Sequence, residues 1–286
     1  MPVFSIIIPS FNRASIIHRP LNAVLSQSFK DYEVIIVDDG STDNTKSIID
    51  SNFSQENIKY LFQYNQGVCA ARNYGAIHAN GRYLIFLDTD DLVEENWLKE
   101  FYDSLIFENS LMAYCSLKKI KIDGSEEHID ARVPYKKSKA KGFVIPGSWV
   151  IQKSLFFDIG MYDVNLKFGE NTELKIRIDA LNIPISIIDH YNLVYFESKD
   201  GGSKNNQNKL DSITYTIKKH LPYFEKNPRI KKLQLQTAAV AAARLGMYNT
   251  SYQLFKSALK GNRNNIKLWL QLLISKIPML SKLVWK

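Results

Sequence analysis

The 286-residue sequence is 45% hydrophobic and 23% charged, with a net charge of +8, which fits a globular protein and excludes disorder of the whole chain. Cys69 and Cys115 stand alone, which argues against a disulfide framework or a zinc site. The start lacks the basic lead and cleavage site of a signal peptide, and no stretch has the roughly 20 apolar residues that span a bilayer, so we expect a cytoplasmic protein, or one peripheral on the cytoplasmic face of the inner membrane.

Strand and helix signals alternate through residue 91. Continuous β-branched runs predict strands buried on both faces at residues 4–9, 32–37, 58–62 and 83–87. Apolar residues at helical spacing predict helices at residues 14–27 and 68–79, and a short helix ends at residue 50. Repeated βα units form a parallel sheet, and ligands bind such sheets at the carboxyl ends of the strands.

Polar clusters follow three of these strands, at residues 10–13, 38–39 and 88–91. We expect them to meet at one edge of the sheet. Within the last cluster, Asp88-Thr89-Asp90 is a DxD sequence, and its two carboxylates suit Mg²⁺ or Mn²⁺. The alternative is that these acids are solvated or cap a helix.

The remainder is less regular. A helix is predicted at residues 97–108, strands joined by a turn at residues 112–124, a helix at residues 172–181, and a linker or lid at residues 201–206. Helical spacing then continues to the end, interrupted at Pro278.

Four blocks resemble the family 2 glycosyltransferases of the GT-A fold: SIIIPSFNR at 5–13, EVIIVDDGSTDNT at 33–45, GVCAARNYGAIHANGRYLIFLDTDD at 67–91 and GMYDVNLKFGENTELKIR at 160–177. The resemblance covers roughly residues 3–200, in the family's order and spacing. It implies an α/β, Rossmann-like, mostly parallel sheet flanked by helices. Residues 1–205 would be the catalytic domain, with a nucleotide-binding half (1–91) and an acceptor-side half (92–205), and residues 206–286 a basic helical extension.

The resemblance also implies a set of site residues. The nucleotide-binding set is Pro9, Phe11, Asn12, Arg13, Asp39, Arg72, Asp88 and Thr89. Within it, Asp39 would hydrogen-bond the base, usually uracil, and Asp88 would lie near the ribose. Asp90, with Asp88, would ligate Mn²⁺ or Mg²⁺ bridging the diphosphate. The structural alternatives are packing for Phe11 and a helix cap or surface ion pair for Arg72, and we expect a structural role for Asp38.

The implied activity is inverting transfer of a hexosyl or N-acetylhexosaminyl group from a nucleoside-diphosphate sugar, UDP-linked by expectation. The implied acceptor is a glycan or a polyprenyl-pyrophosphate-linked glycan, as in bacterial polysaccharide biosynthesis. No nucleic-acid motif occurs, and aromatic residues are too sparse in the basic segments for a base-stacking platform.

The catalytic base is where the sequence departs from the family. The family's Glu-Asp pair reads Glu170-Asn171 here, and an amide cannot take a proton at neutral pH. Three explanations are open, in this order: Glu170 is the base, Asn171 is an inactivating substitution, or the protein binds the donor without efficient transfer. The last makes it a non-catalytic sugar-nucleotide-binding or scaffold protein. Asn171 would also serve as the N-cap of the following helix.

Two further features lie in residues 92–205, one in a loop over the donor and one in a block on the acceptor side. In residues 195–204 the family often has an Arg and a His in a loop over the donor, whereas this chain has Glu197 and Lys199 nearby. In Gly147-Ser148-Trp149, the indole either stacks on a sugar or fills the core, and we favour the core.

The charge of the sequence is concentrated at one end. Residues 1–205 carry 22 Lys and Arg against 27 Asp and Glu, whereas residues 206–286 carry 15 Lys and Arg against Asp211 and Glu225 alone. An apolar, lysine-containing final segment with Trp269 and Trp285 fits an anionic membrane surface. The alternative is that its apolar face packs on the preceding helices.

Overall fold

The structure, a computed structural model, describes residues 1–131, 145–181, 183–198, 204–260 and 265–285. It comprises two compact units, one of Met1–Val164 with Arg177–Ser198 and one of Asn165–Ile176 with Lys199–Lys286. The functional division expected after residue 205 stays a prediction.

The elements, in chain order, alternate strands and helices before becoming wholly helical. They are β1 (Phe4–Ser10), α1 (His18–Leu25), β2 (Tyr32–Asp38), α2 (Thr45–Asn52), β3 (Ile58–Phe62), α3 (Val68–His78), β4 (Tyr83–Phe86), β5 (Leu92–Val93), α4 (Trp97–Phe107), β6 (Met112–Ile120), β7 (Glu126–Ile129), β8 (Trp149–Gln152), α5 (Lys153–Asp158), α6 (Glu170–Leu181), β9 (Ser186–Phe196), α7 (Asn206–Lys219), α8 (Leu221–Lys226), α9 (Pro228–Arg244), α10 (Tyr248–Leu259), α11 (Ile266–Ser275) and α12 (Pro278–Val284).

The first four strands form the parallel sheet that the sequence predicts. β1 pairs in parallel with β2 on one side and β4 on the other, and β2 pairs in parallel with β3. Ile6, Ile7 and Ile8 of the central strand are fully buried, because helices cover both faces of such a sheet. The α/β class is confirmed.

The later strands pair mainly in the opposite sense. β8 runs antiparallel to both β4 and β6, β7 runs antiparallel to β6, and β5 runs antiparallel to β9, while β6 and β9 are parallel. The chain reverses between β6 and β7 at Gly124, which has a φ of +81°, a conformation that favours glycine. The sheet is therefore mixed, and the expected parallel pairing dominates only in its first half.

The second unit has its own helical core. Leu210 and Ile213 of α7 pack with the alanines of α9, and Phe255 of α10 packs with Leu268 and Leu272 of α11. The predicted helical C-terminal region is confirmed, and α12 begins at Pro278, where an interruption was expected. Among the described residues, every helix is too short or too polar to cross a membrane.

Helix α3 approaches the sheet closely at Gly75. A Cβ atom there would lie 2.5 Å from Ile7 Cγ2 and 3.1 Å from Val37 Cγ2. We expect Gly75→Ala to lower the free energy of unfolding by about 1–3 kcal/mol because the added methyl overpacks this contact. Urea denaturation measures it, with Ser51→Ala on the exposed side of α2 as the control expected to stay within about 0.5 kcal/mol. Equal midpoints for the two variants would contradict the packing account.

Candidate functional site

The carboxyl ends of β1, β2 and β4 lie side by side, as the sequence predicts. Ser10 is in register with Asp38, and the Asp39 N–H donates to the Ser10 carbonyl at 2.8 Å. The Leu87 N–H donates to the Ile7 carbonyl at 3.0 Å. The chain therefore stays beside β1 for one residue beyond β4, and Asp88 follows directly. The three polar clusters of the sequence therefore share one edge of the sheet.

The loop after β1 is tied to the loop after β2. The Asn12 N–H donates to Ser41 Oγ and the Thr42 N–H donates to Asn12 Oδ1, each at 2.8 Å. Asn12 has a φ of +52°, a left-handed conformation in which asparagine is enriched. The Arg13 N–H donates to Thr45 Oγ1 at 2.9 Å. These bonds fix the backbone that carries the predicted nucleoside contacts.

Pro9 and Phe11 differ in their surroundings. Pro9 is the next-to-last residue of β1, in register with Val37 of β2. The Phe11 ring is 45% exposed, so the structural alternative of core packing does not account for it. An exposed aromatic ring beside an ordered loop is suited to pack against a planar or apolar ligand group.

The Asp39 carboxylate orders the loop between β3 and α3. Asp39 Oδ1 accepts from Gln63 Nε2 at 2.7 Å and from the Gln66 N–H at 2.8 Å, and Oδ2 accepts from the Gly67 N–H at 2.8 Å. Its side chain is 4% exposed. A carboxylate has about four acceptor positions. Asp39 is thus largely committed to the fold, with one position left for a ligand.

Asp38 has the structural role that was expected. Its Oδ1 accepts from the Ser41 N–H at 2.7 Å and its Oδ2 accepts from the Tyr60 hydroxyl at 2.6 Å. Burial and the adjacent Asp38 carboxylate raise the pKa of Tyr60, so the phenol keeps its proton. Asp38 therefore closes the turn after β2.

Arg72 reaches the DxD sequence from within the protein. Its guanidinium Nη2 lies 2.7 Å from Asp88 Oδ1, and the Arg72 side chain is only 2% exposed. The guanidinium also lies over the Tyr162 ring, 5.2 Å from its centroid. Arg72 is therefore neither a helix cap nor a surface partner, and it holds the partly exposed Asp88 in place.

The acids after β4 crowd one another. Burial and the neighbouring Asp88 carboxylate raise the pKa of Asp90, while Arg13 and Arg19 oppose the rise. Burial, Asp88 and Asp90 raise the pKa of Asp91 well above its usual range. Burial and the same three carboxylates raise the pKa of Tyr195 to about 12. The edge of the sheet is therefore a place where added positive charge is favoured.

Thr89 and Arg13 connect the first and last of the three loops. Arg13 Nε donates to Thr89 Oγ1 at 3.2 Å, and Thr89 is buried. The side chain of Arg13 is exposed at the surface, so part of its guanidinium can still meet an anion.

The donor set suits a divalent cation only in combination with a ligand. In the part of the chain that the structure describes, no group of three or more His, Cys, Asp or Glu side chains is arranged to hold a metal ion. Mg²⁺, however, is commonly held by one or two carboxylates together with substrate phosphates and waters. Asp88 and Asp90 fit that pattern, since they are hard oxygen donors whose mutual repulsion a cation relieves.

The comparison with known families identifies the chain. The family model described as Glycosyl transferase family 2 matches residues 5–160, more than half of the sequence. The chain belongs to glycosyltransferase family 2. The matched region begins at the second residue of β1 and contains every other described strand except β9. It also contains all the residues named above for this candidate site except Tyr162 and Tyr195.

Similar curated proteins are named glycosyltransferases. An uncharacterised glycosyltransferase of Nostoc is 38% identical over 128 residues, covering 44% of this chain and 39% of the relative. One of Haemophilus influenzae is 34% identical over 139 residues, covering 46% of this chain and 56% of the relative. Glycosyltransferase GlyG of Streptococcus pneumoniae is 35% identical over 105 residues, covering 36% of this chain and 35% of the relative. The chain thus spans less than two thirds of the length of these relatives.

Solved structures show the same fold. S. aureus TarS crystallised with UDP-GlcNAc has a TM-score of 0.66 at 17% identity, covering 92% of each chain. Residues 1–349 of TarS crystallised with UDP have a TM-score of 0.61 at 20% identity, covering 86% of this chain and 83% of that segment. The GT-A fold expected for this family 2 member is confirmed.

The two residues in the family's base position lie in the second unit. α6 begins at Glu170, and the Glu173 N–H donates to the Gly169 carbonyl at 3.0 Å. The helix thus starts two residues earlier than expected, and Asn171 is inside its first turn, so the predicted N-cap role of Asn171 is wrong. Asn171 Nδ2 donates to Glu170 Oε1 at 3.0 Å, and the amide therefore supports the neighbouring carboxylate.

Of the two further features in residues 92–205, the structure decides the role of Trp149. Trp149 is fully buried and its ring lies 5.6 Å from that of Phe86, which confirms the core interpretation and removes it as a sugar-stacking residue. Glu197 lies 3.2 Å from Lys119 as an ion pair. Lys199 and residues 201–203 of the predicted linker or lid are outside the described residues.

Sequence reasoning missed two charged residues beside the DxD sequence. Asp91 is fully buried, and its Oδ1 accepts from the Phe196 N–H at 3.1 Å. Arg19 lies over the Phe196 ring, 4.9 Å from its centroid, and its positive charge partly opposes the rise in the pKa values of Asp90 and Asp91. The third acid in the run Asp88–Asp91 was the available signal for Asp91. Arg19 has no local signal, because only the fold brings it there.

The bonding of Asp39 predicts a structural cost for its replacement. In Asp39→Asn an NH₂ group must face one of the three donors, so we expect the free energy of unfolding to fall by about 1–3 kcal/mol without any ligand. Urea denaturation measures it. Asp50→Asn, at an exposed acid of α2, is the control. An Asp39→Asn variant as stable as the control would show that this carboxylate does not hold the loop.

Proposed function

We propose that this family 2 member transfers a hexosyl or N-acetylhexosaminyl group from a UDP-sugar to a glycan or a polyprenyl-pyrophosphate-linked glycan, with inversion and with a divalent metal ion. The observation that carries the proposal is the meeting of three loops at the edge of the parallel sheet. That edge combines an exposed aromatic ring, two arginines and adjacent carboxylates. The similar fold of TarS, crystallised with UDP-GlcNAc, supports the choice of donor.

The nucleoside would lie along the loops after β1 and β2. Phe11 offers its exposed ring, and Asn12 holds the backbone beside it. Asp39 has one remaining acceptor position, which matches the single N–H of uracil. Because the carboxylate is fixed by three protein donors, a base bound there meets a rigid acceptor, which lowers the entropic cost of binding.

The diphosphate would lie toward the DxD sequence. Asp90, with Asp88, would hold Mn²⁺ or Mg²⁺, and Arg13 adds positive charge on the same edge. When bound, such an ion offsets the negative charge that develops on the departing nucleoside diphosphate. Arg72 orients Asp88 through the ion pair of 2.7 Å, so the carboxylate is positioned to bind a cation.

For the proton of the acceptor hydroxyl, we assign the base to Glu170. Asn171 has no basic group at neutral pH, whereas Glu170 has a carboxylate that accepts the Asn171 amide at 3.0 Å. The hydroxyl oxygen would attack the anomeric carbon as Glu170 takes its proton, the bond from that carbon to the diphosphate oxygen would break, and the configuration would invert.

The rival function is binding of a sugar nucleotide without transfer. The specific observation in its favour is the amide of Asn171 in the position where the family has a carboxylic acid. The two functions share the nucleotide site and differ only in turnover, so release of UDP separates them.

A thermal shift tests the metal and nucleotide site. We expect UDP with Mn²⁺ to raise the melting temperature of the wild-type chain, since a ligand at about 100 times its Kd stabilises by about 2.7 kcal/mol. Asp90→Asn should lose the increment that Mn²⁺ adds. Asp103→Asn, at an exposed acid of α4, should keep it. An Mn²⁺ increment of equal size in both variants would remove Asp90 from the metal site.

A transfer assay tests the base. With UDP-GlcNAc, Mn²⁺ and polyprenyl-pyrophosphate-linked GlcNAc, we expect Glu170→Gln to lower UDP release about a hundredfold or more, with the UDP thermal shift unchanged. Asn171→Asp should leave the rate close to that of the wild type. A faster Asn171→Asp variant would instead mark Asn171 as an inactivating substitution. UDP binding without acceptor-dependent release in any variant, across UDP-sugars, would favour the rival function.

A further inference from the structure

Helices α11 and α12 carry an exposed apolar surface, which we call the apolar stripe. Its side chains are between 42% and 79% exposed. They are Ile266, Trp269, Leu270, Leu273, Ile277, Met279, Leu280, Leu283 and Val284. Contiguous apolar exposure of this kind marks a binding surface in a folded protein.

The apolar stripe is not the face that packs on the preceding helices. That face consists of Leu268 and Leu272 of α11 and of Trp285, all buried against α9 and α10. The Trp285 ring stacks on that of Phe255, with centroids 5.4 Å apart. Within α11 the stripe residues recur at three- and four-residue intervals, so they share one side of the helix. The segment therefore has two apolar sides. One packs in the helical core, and the other is exposed.

The charges within this segment are all positive. Lys267, Lys276 and Lys282 are exposed, and residues 266–285 contain no Asp or Glu. The wider segment, residues 206–286, has 15 Lys and Arg against two acids. A second copy of the chain would bring like charge against like charge, which opposes self-association through this surface. A partner for the stripe must be apolar and negatively charged at its margin.

A basic cleft adjoins the stripe. Arg244 and Lys282 line a cavity of about 600 Å³ together with Tyr248 and Trp285. Burial, and then the positive charges of Arg244 and Lys204, lower the pKa of Lys209. These neighbouring positive charges repel one another, and an anion such as a phosphate bound beside them would reduce that repulsion.

We propose that the apolar stripe docks this chain on an anionic lipid bilayer, with the stripe in the acyl boundary and the lysines and Arg244 at the phosphates. Apolar side chains with tryptophan and flanking lysines are the composition that binds at a bilayer interface. A bilayer of anionic lipid can bind both the apolar side chains and the positive charges of this surface, whereas a neutral bilayer can bind only the apolar side chains. The proposal does not depend on the transferase function, because all of its residues lie in the second unit.

Vesicle flotation of the full chain tests this proposal. We expect the wild type to float with vesicles of phosphatidylcholine and phosphatidylglycerol, and not with phosphatidylcholine alone. Leu273→Glu with Leu283→Glu should abolish flotation. Lys276→Gln with Lys282→Gln should weaken binding about fivefold for each lysine removed, since each contributes about 1 kcal/mol. Added salt should weaken the wild type in the same direction.

The matched control is Phe107→Glu, which places the same charge on an exposed apolar residue of the first unit, 91% exposed. It should float like the wild type. Melting curves and the UDP thermal shift show whether each variant is folded. Failure of the wild type to float with anionic vesicles, or equal flotation of a folded stripe variant, would overturn the proposal. So would stripe-dependent dimerisation without lipid binding, which would assign the surface to a second copy.

Discussion

The parallel pairing of β1 with β2 and β4 is the constraint on which the candidate site depends. Because side chains alternate along a strand, a shift of one residue between neighbours would exchange the two faces of that strand. Ile6 and Ile8 of β1 pack in the large core cluster, whereas Ile7 lies against α3 at Gly75, so the two faces have different packing partners. In the observed register Ser10 lies beside Asp38, and the polar loops continue from these strand ends.

Packing of α3 on the sheet also positions a charged side chain at the candidate site. Because Gly75 has no side chain, the helix lies so close to Ile7 and Val37 that a methyl group would not fit between them. One turn earlier in the same helix, Arg72 is carried inward until its guanidinium meets Asp88. A guanidinium that is almost fully buried needs such a partner. The close approach of the helix and the orientation of the DxD sequence are therefore parts of one arrangement.

Sequence reasoning succeeded where local pattern decides structure and failed where distant contacts do. The strands through residue 87 are continuous apolar runs, and their positions were predicted to within a residue or so. α1 begins at His18 instead of residue 14, and the turn before it is held to distant side chains, since the Arg13 N–H donates to Thr45 and the Ala14 N–H donates to Asp43. Antiparallel pairing of β8 with β4 joins distant segments, and no local signal marks it. The three polar loops after β1, β2 and β4 lie at one edge of the sheet as predicted, but the commitment of Asp39 to a loop was not foreseeable.

The balance of charge at the DxD edge indicates what kind of ligand the site favours. Asp88 is paired with Arg72. Burial and the Asp88 carboxylate raise the pKa of Asp90, and burial with the Asp88 and Asp90 carboxylates raises the pKa of Asp91. A simple anion would add to this repulsion, and a lone cation would leave the exposed Arg13 without a counter-charge. A cation bound together with a polyanion satisfies both groups at once. The metal-bound diphosphate proposed for this site has that composition, and the proposal therefore treats the carboxylates and the arginines of this edge as one site.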